Sequence, residues 1–96
     1  MWQTDIKDIT YSWDDQKDFI LRTTRHVSFR DVIHALMQKD MILDIQHHNQ
    51  EKYPQQKKLI IILNDYPHEV PYIQQWSTIF LKTIIPNRKH KKLFIA

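Results

Sequence analysis

Glycine and cysteine are both absent from the 96 residues of this chain. The P-loop and the dinucleotide-binding fingerprint both need glycine where the backbone approaches phosphate, so ATP or NAD chemistry by those routes is excluded. Without cysteine there is no disulfide framework, no thiolate nucleophile and no cysteine-ligated metal. The longest apolar run, residues 59–63, has the length of a strand and is far too short to span a membrane.

The N-terminal residues also lack a recognisable targeting signal. Residues 1–5 contain neither a basic n-region nor an apolar h-region, so we expect no signal peptide and a cytoplasmic location. The hydrophobic fraction of 42% and the charged fraction of 26% are ordinary for a globular protein. This composition and length predict one domain over residues 1–96.

Negative charge is nearly absent from the second half of the chain. Residues 1–51 hold six Lys/Arg and nine Asp/Glu, whereas residues 52–96 hold eight Lys/Arg and two Asp/Glu. The last seventeen residues have no carboxylate side chain. Such a one-sided basic region indicates a partner that carries phosphates. The alternative interpretation is a solvated, lysine-rich tail without a specific partner.

Hydrophobic spacing predicts two helices in the first half of the chain. The first, over residues 13–26, has acidic residues in its opening turn and basic residues at its end, as the helix dipole favours. The second, over residues 28–39, opens with Ser28 as a capping residue and Asp31 three positions later, followed by an apolar stripe.

Strand patterns follow the two helices. The apolar runs and the turn residues between them predict strands over residues 41–47, 57–65, 68–75 and 78–85. Their short connections favour antiparallel neighbours. The expected fold is therefore α+β, with two N-terminal helices packed on an antiparallel four-stranded sheet.

Three segments of the chain carry a resemblance to a known family. The first is Trp13-Asp14 with a spaced Lys17, followed by Val27-Ser28-Phe29, and the second is the loop over residues 44–54. The third, over residues 80–89, has Lys82 before an aliphatic pair, a proline and the pair Arg88-Lys89. In this order the segments resemble the BrnT-like toxins of type II toxin–antitoxin systems.

The resemblance implies a RelE-like, microbial ribonuclease-like fold and metal-independent cleavage of mRNA, which inhibits translation without a cofactor. It also implies a cognate antitoxin of the ribbon-helix-helix class, and contact with operator DNA only through that antitoxin. No membrane partner is expected. Two other functions stay open: a catalytically inactive toxin-fold module that pairs with an antitoxin at operator DNA, and a basic adaptor that never touches nucleic acid.

Metal-free RNA cleavage uses the 2′-hydroxyl as nucleophile, so the protein must hold the phosphate and stabilise its developing charge. We predict Arg88 as the phosphate clamp, because its planar guanidinium donates two hydrogen bonds, and Lys82 as a second cation inside the last strand. Lys89 and Lys91 would bind the RNA backbone. The alternatives are a solvent-facing Lys82, with residues 81, 83 and 85 towards the core, and an ion pair between Arg88 and the acidic first helix.

Proton transfer needs a titratable side chain near this cation pair. His47 or Glu51, at the end of the first predicted strand, would serve as general base or acid. Tyr53 and Tyr72 would stack on RNA bases, the alternative being ordinary half-buried aromatics. No metal site is expected, because adjacent histidines on a strand point to opposite faces.

Overall fold

The computed structural model describes residues 2–6, 8–38, 43–46 and 56–88. These residues form an α+β fold in which two helices, α1 (Asp15–Thr24) and α2 (Phe29–Gln38), pack on one face of a β-sheet. The strands are β1 (Trp2–Ile6), β2 (Ile9–Trp13), β3 (Leu43–Gln46), β4 (Gln56–Leu63), β5 (Tyr66–Gln75), β6 (Thr78–Leu81) and β7 (Ile85–Pro86).

The sheet is mixed. Its strands are ordered β1-β2-β6-β5-β4-β3, and β7 pairs with β5 beyond the end of β6. The pairs β3–β4, β4–β5 and β5–β6 are antiparallel, as predicted, but β2 pairs with the other edge of β6 in parallel. The prediction of a four-stranded antiparallel sheet is therefore wrong. Most of the chain, including both helices, separates β2 from β6, and a long crossover of this kind permits parallel pairing.

The N-terminal hairpin β1–β2 was missing from the prediction. Its second strand alternates Ile9, Tyr11 and Trp13, which is a readable strand pattern of β-branched and aromatic residues. Trp13 consequently ends β2 instead of opening the first helix. Its indole is 2% exposed and stacks on the ring of Phe29 at a centroid distance of 5.8 Å, which joins the sheet to the start of α2.

Side-chain caps determine where both helices begin. The Asp14 carboxylate accepts hydrogen bonds from the backbone N–H of Gln16 at 2.8 Å and of Lys17 at 3.4 Å, so α1 starts one residue later. The predicted capping box of α2 is confirmed. Asp31 donates its N–H to Ser28 Oγ at 3.2 Å, and Ser28 donates its own to Asp31 Oδ2 at 2.8 Å.

The hydrophobic core lies between the helices and the inner face of the sheet. Leu21 is the one buried residue of α1, whereas α2 contributes four. The sheet contributes alternate residues of its strands, as the two-residue period requires: Tyr11, Trp13, Leu59, Ile61, Leu63, Val70, Tyr72, Ile79 and Leu81. Within the described part of the chain, neither helix has the length and apolar character that a membrane span needs.

Turns that usually use glycine are formed here by other residues. Asn64 and Asp65 both have positive φ, 54° and 60°, in the two-residue turn that joins β4 to β5. Asn and Asp tolerate this left-handed conformation, which the type I′ hairpin turn requires. Trp76 also has positive φ, 57°, in the turn between β5 and β6. A bulky aromatic residue in that region is a true outlier.

Candidate basic site beside a strand bulge

A β-bulge separates β6 from β7. Leu81 pairs with Tyr72 and Ile85 pairs with Glu69, so the β6–β7 segment takes four steps where β5 takes three. Thr83 and Ile84 together therefore oppose one residue of β5, which is the arrangement of a one-residue bulge. The bulge follows Lys82, whose N–H donates to the carbonyl of Pro71 at 2.9 Å. Because Pro71 has no N–H to donate to the carbonyl of Lys82, the ladder of hydrogen bonds between β5 and β6 stops at this pair.

The last strand differs from both predicted arrangements, although the alternative correctly placed Lys82 towards solvent and Leu81 in the core. Lys82 lies directly after β6, not inside a strand, and its side chain is exposed. Leu81 and Ile84 are both 0% exposed, whereas Ile85 is 38% exposed. Regular alternation would separate Leu81 from Ile84, but the extra residue turns both towards the core.

Two interactions hold the bulged segment in place. The guanidinium of Arg25, at the end of α1, donates from Nη1 to the carbonyl of Ile84 at 3.0 Å. The N–H of Asn87 donates to the carbonyl of Pro67 at 3.1 Å, which anchors the chain immediately before Arg88. These bonds satisfy backbone groups that the interrupted ladder leaves out, and they fix the positions from which Lys82 and Arg88 project.

Lys82 and Arg88 are the two predicted phosphate-binding residues that the structure describes. Both are exposed, and neither forms an ion pair with any other residue in the described part of the chain. The alternative prediction, an ion pair between Arg88 and α1, is thus absent from these residues. Strand register places Lys58, Pro71 and Lys82 in one row across β4, β5 and β6, so their side chains share the sheet face opposite to the helices. We call this the outer face.

A polar network lies next to this row on the outer face. Glu69 Oε1 accepts hydrogen bonds from Lys58 Nζ and from Asn87 Nδ2, each at 3.2 Å. The Lys58 and Glu69 side chains are only 15% and 12% exposed. A carboxylate this buried needs a cationic partner and hydrogen bonds, and the network supplies both. It also ties β4 and β5 to the residue before Arg88.

His68 occupies the inner face beside β7. Its ring is buried, and its Nδ1 lies 2.8 Å from the carbonyl oxygen of Tyr66. Since a carbonyl oxygen only accepts, Nδ1 carries the proton and Nε2 has the lone pair in the neutral ring. Burial lowers the pKa of His68, the hydrogen bond to Tyr66 opposes this, and the charge of Arg25 lowers the pKa further.

Among the remaining predicted site residues, the structure describes only Tyr72. Tyr72 is 2% exposed and belongs to the hydrophobic core, so its ring has no free face on which a base could stack. The prediction that Tyr72 stacks on an RNA base is therefore wrong. The others lie outside the described residues: His47, Glu51, Tyr53, Lys89 and Lys91.

Sequence reasoning misses the network residues because the apolar run over residues 59–63 dominates the pattern of β4 and gives no role to the lysines before it. The sequence carries no signal that separates the two faces of β4, because each face has one lysine, Lys57 or Lys58, followed only by Leu or Ile. Arg25 was assigned only to a helix end, and nothing in the sequence indicates that it reaches a carbonyl 59 residues away.

A pocket of about 420 Å³ lies elsewhere, between α1 and the start of α2. Its central acid, Asp18, accepts hydrogen bonds from the Phe29 N–H at 2.8 Å and from Arg22 Nε at 3.1 Å. Both carboxylate oxygens of Asp18 thus have partners within the fold. No group of three or more potential metal ligands occurs among the residues that the structure describes.

Comparison with known proteins adds no relative. A scan against protein-family models, a search of the curated proteins and a search of the solved structures each returned no match. The resemblance to BrnT-like toxins therefore stays a prediction from the sequence.

Proposed function

We propose that this protein is the toxin of a type II toxin–antitoxin system, a RelE-like ribonuclease that cleaves mRNA without a metal and so inhibits translation. The observation that supports this most directly is the placement of Lys82 and Arg88. Both cations are exposed: Lys82 directly precedes the bulge and Arg88 follows β7, and the adjoining backbone is fixed by hydrogen bonds to Pro71 and Pro67. Bulges re-aim side chains next to active sites, and fixed cations suit a phosphate that gains charge.

In the proposed reaction the 2′-oxygen of a ribose attacks the adjacent phosphorus. The bond from phosphorus to the 5′-oxygen breaks, which leaves a 2′,3′-cyclic phosphate and a 5′-hydroxyl end. Arg88 and Lys82 donate hydrogen bonds to the non-bridging oxygens as their negative charge increases. His47 or Glu51 accepts the proton of the 2′-hydroxyl, and Lys89 and Lys91 bind the flanking phosphates.

The proposed partner is an antitoxin of the ribbon-helix-helix class, which would bind operator DNA and carry the toxin there. Its neutralising segment would cover the basic site. The net charge of residues 52–96, eight basic against two acidic side chains, favours an acidic segment for that role.

The test is cleavage of single-stranded RNA by the purified protein in EDTA buffer, with the products separated on a gel. We expect Arg88→Ala and Lys82→Ala each to lower the rate about 100-fold or more, the usual effect of removing one transition-state donor. Lys17→Ala, which removes an exposed cation from α1, is the matched control and should cleave like the parent. Intact RNA with the parent protein, or unchanged cleavage by Arg88→Ala, would refute the proposal.

One observation favours the second candidate, a toxin-fold module that binds its antitoxin but has lost catalysis. The titratable groups described nearest the bulge are already engaged: Glu69 with Lys58 and Asn87, and His68 with a backbone carbonyl. Expression without the antitoxin separates the candidates. Growth arrest that Lys82→Ala or Arg88→Ala abolishes supports the ribonuclease, and normal growth with retained antitoxin binding supports the module.

A further inference from the structure

The turn between β5 and β6 carries an exposed tryptophan in a conformation that suits glycine. Trp76 is 97% exposed, the highest exposure among the large hydrophobic residues of the described chain. Its φ of 57° is positive, and Gln75 pairs directly with Thr78, so Trp76 and Ser77 form a two-residue hairpin turn. Turns with positive φ at the first central position normally use glycine. Trp76 thus combines backbone strain with maximal exposure of an apolar ring.

Neither feature serves the fold. The ring contacts no part of the core, and a smaller residue would relieve the backbone strain. Strain retained at an exposed position indicates that the side chain is needed there for a contact outside the folded chain. Tryptophan offers the large, flat and rigid surface that stacking partners require.

The surroundings of Trp76 indicate which partner. Residues 70–96 contain no Asp or Glu, and the neighbours of Trp76 are exposed, uncharged hydrogen-bonding residues, namely Gln74, Gln75, Ser77 and Thr78. Asp8 lies at the same end of the sheet, because Thr10 pairs with Thr78 in parallel register. Its carboxylate would repel a polyanion there. A polyanion would therefore run from Trp76 in the other direction, along β6 towards Lys82, about 20 Å away at the rise of an extended strand.

We propose that Trp76 is a base-stacking residue for single-stranded RNA, placed several nucleotides away from the phosphate held by Lys82 and Arg88. The inference rests on the proposed function, because it takes RNA as the ligand of the same basic surface. An aromatic platform beside a basic track is the usual combination in proteins that bind single strands. Any base can stack on the indole of Trp76, so the contact would contribute affinity without base specificity.

The experiment measures binding of a fluorescein-labelled single strand of about ten nucleotides, within the range of known site sizes, by anisotropy. The strand carries 2′-O-methyl groups and so lacks the nucleophile that cleavage needs. We expect Trp76→Ala to weaken binding about five- to hundred-fold, the loss typical of one stacked base. Trp76→Phe keeps an aromatic ring and should bind within about threefold of the parent.

The controls separate stacking from charge and from folding. Phe19→Ala removes a ring that is 58% exposed on α1, and it should leave binding unchanged. Trp76→Ala should keep the salt dependence of the parent, whereas Lys82→Ala should reduce its slope. The fluorescence that the parent has and Trp76→Phe lacks is the emission of the Trp76 ring, and the strand should quench that emission.

Three results would overturn the inference. If the parent binds the strand and Trp76→Ala binds it equally well, stacking is wrong while the proposed function stands. If the parent binds no strand at low salt, the proposed function fails, and this inference fails with it. If Trp76→Ala abolishes self-association in sedimentation and leaves RNA binding unchanged, the tryptophan belongs to a contact between protein chains.

Discussion

Replacement of Lys58 tests whether the outer-face network stabilises the sheet. Lys58→Met removes the cation that lies 3.2 Å from Glu69 Oε1, while the hydrogen bond that Asn87 donates to the same carboxylate stays in place. Breaking a fully buried ion pair costs about 3–5 kcal/mol, and breaking an exposed pair costs at most about 1 kcal/mol. Since these side chains are 15% and 12% exposed, we expect a loss of about 2–3 kcal/mol.

The double replacement tests whether the loss of stability in Lys58→Met comes from the Glu69 carboxylate that is left without its cation. Lys58→Met with Glu69→Leu removes both charges and keeps the volume apolar, so its free energy of unfolding should lie within about 1 kcal/mol of the parent. The two single losses would then be far from additive, as expected for residues in direct contact.

Urea unfolding at neutral pH, followed by circular dichroism, gives all four free energies of the cycle. Lys57→Met is the matched control, because it removes the preceding lysine of β4, whose side chain points to the other face. A Lys58→Met protein within about 0.5 kcal/mol of the parent would refute the network's role. A double variant as unstable as the sum of the singles would refute the coupling.

Three further changes test other parts of the structure. Because burial lowers the pKa of His68 below its ordinary value of 6.5, the unfolded state binds more protons between the two values, and stability falls as pH drops through that window. His68→Asn should flatten this part of the stability profile, by at most about 1.4 kcal/mol per pH unit, in urea titrations at several pH values. Trp76→Gly should raise the free energy of unfolding by about 1 kcal/mol, because glycine adopts positive φ without strain. A lower free energy of unfolding would show that the Trp76 backbone is not strained. Ser28→Ala should lower it by about 1 kcal/mol in the same assay, because the cap of α2 is lost; no change would argue against the capping box.

Local chemistry made the helices and four of the strands predictable. The capping box of Ser28 and Asp31 and the two-residue turn of Asn64 and Asp65 are short-range features. The box lies at the predicted start of the second helix, and the turn occupies the last two residues of the strand predicted over 57–65. The mixed sheet was not predictable in this way. The pairing of β2 with β6 joins residues more than 60 positions apart, and neither strand carries a signal for its neighbour's direction.

The candidate site was predictable in residue type but not in arrangement. Lys82 and Arg88 stand out as cations beside an apolar strand, whereas the bulge depends on Pro71 lying opposite Lys82, which only the register reveals. Tyr72 illustrates the opposite error. An aromatic residue in a basic region suggests stacking, but the alternation of β5 places it on the inner face with Val70.

Strand β5 connects the two prolines, the bulge and the Trp76 turn. Pro67 and Pro71 lie in an interior strand, where proline is normally avoided because it removes a ladder hydrogen bond. Here both prolines face the β6–β7 side, where their carbonyls accept from Asn87 and Lys82 and no N–H is offered in return. The bulge lies beside Pro71, and after it the chain pairs with β5 again as far as Asn87, the residue before Arg88. The same strand ends at the turn that exposes Trp76, so one strand spaces the proposed stacking residue and the proposed phosphate-binding residues on a rigid frame.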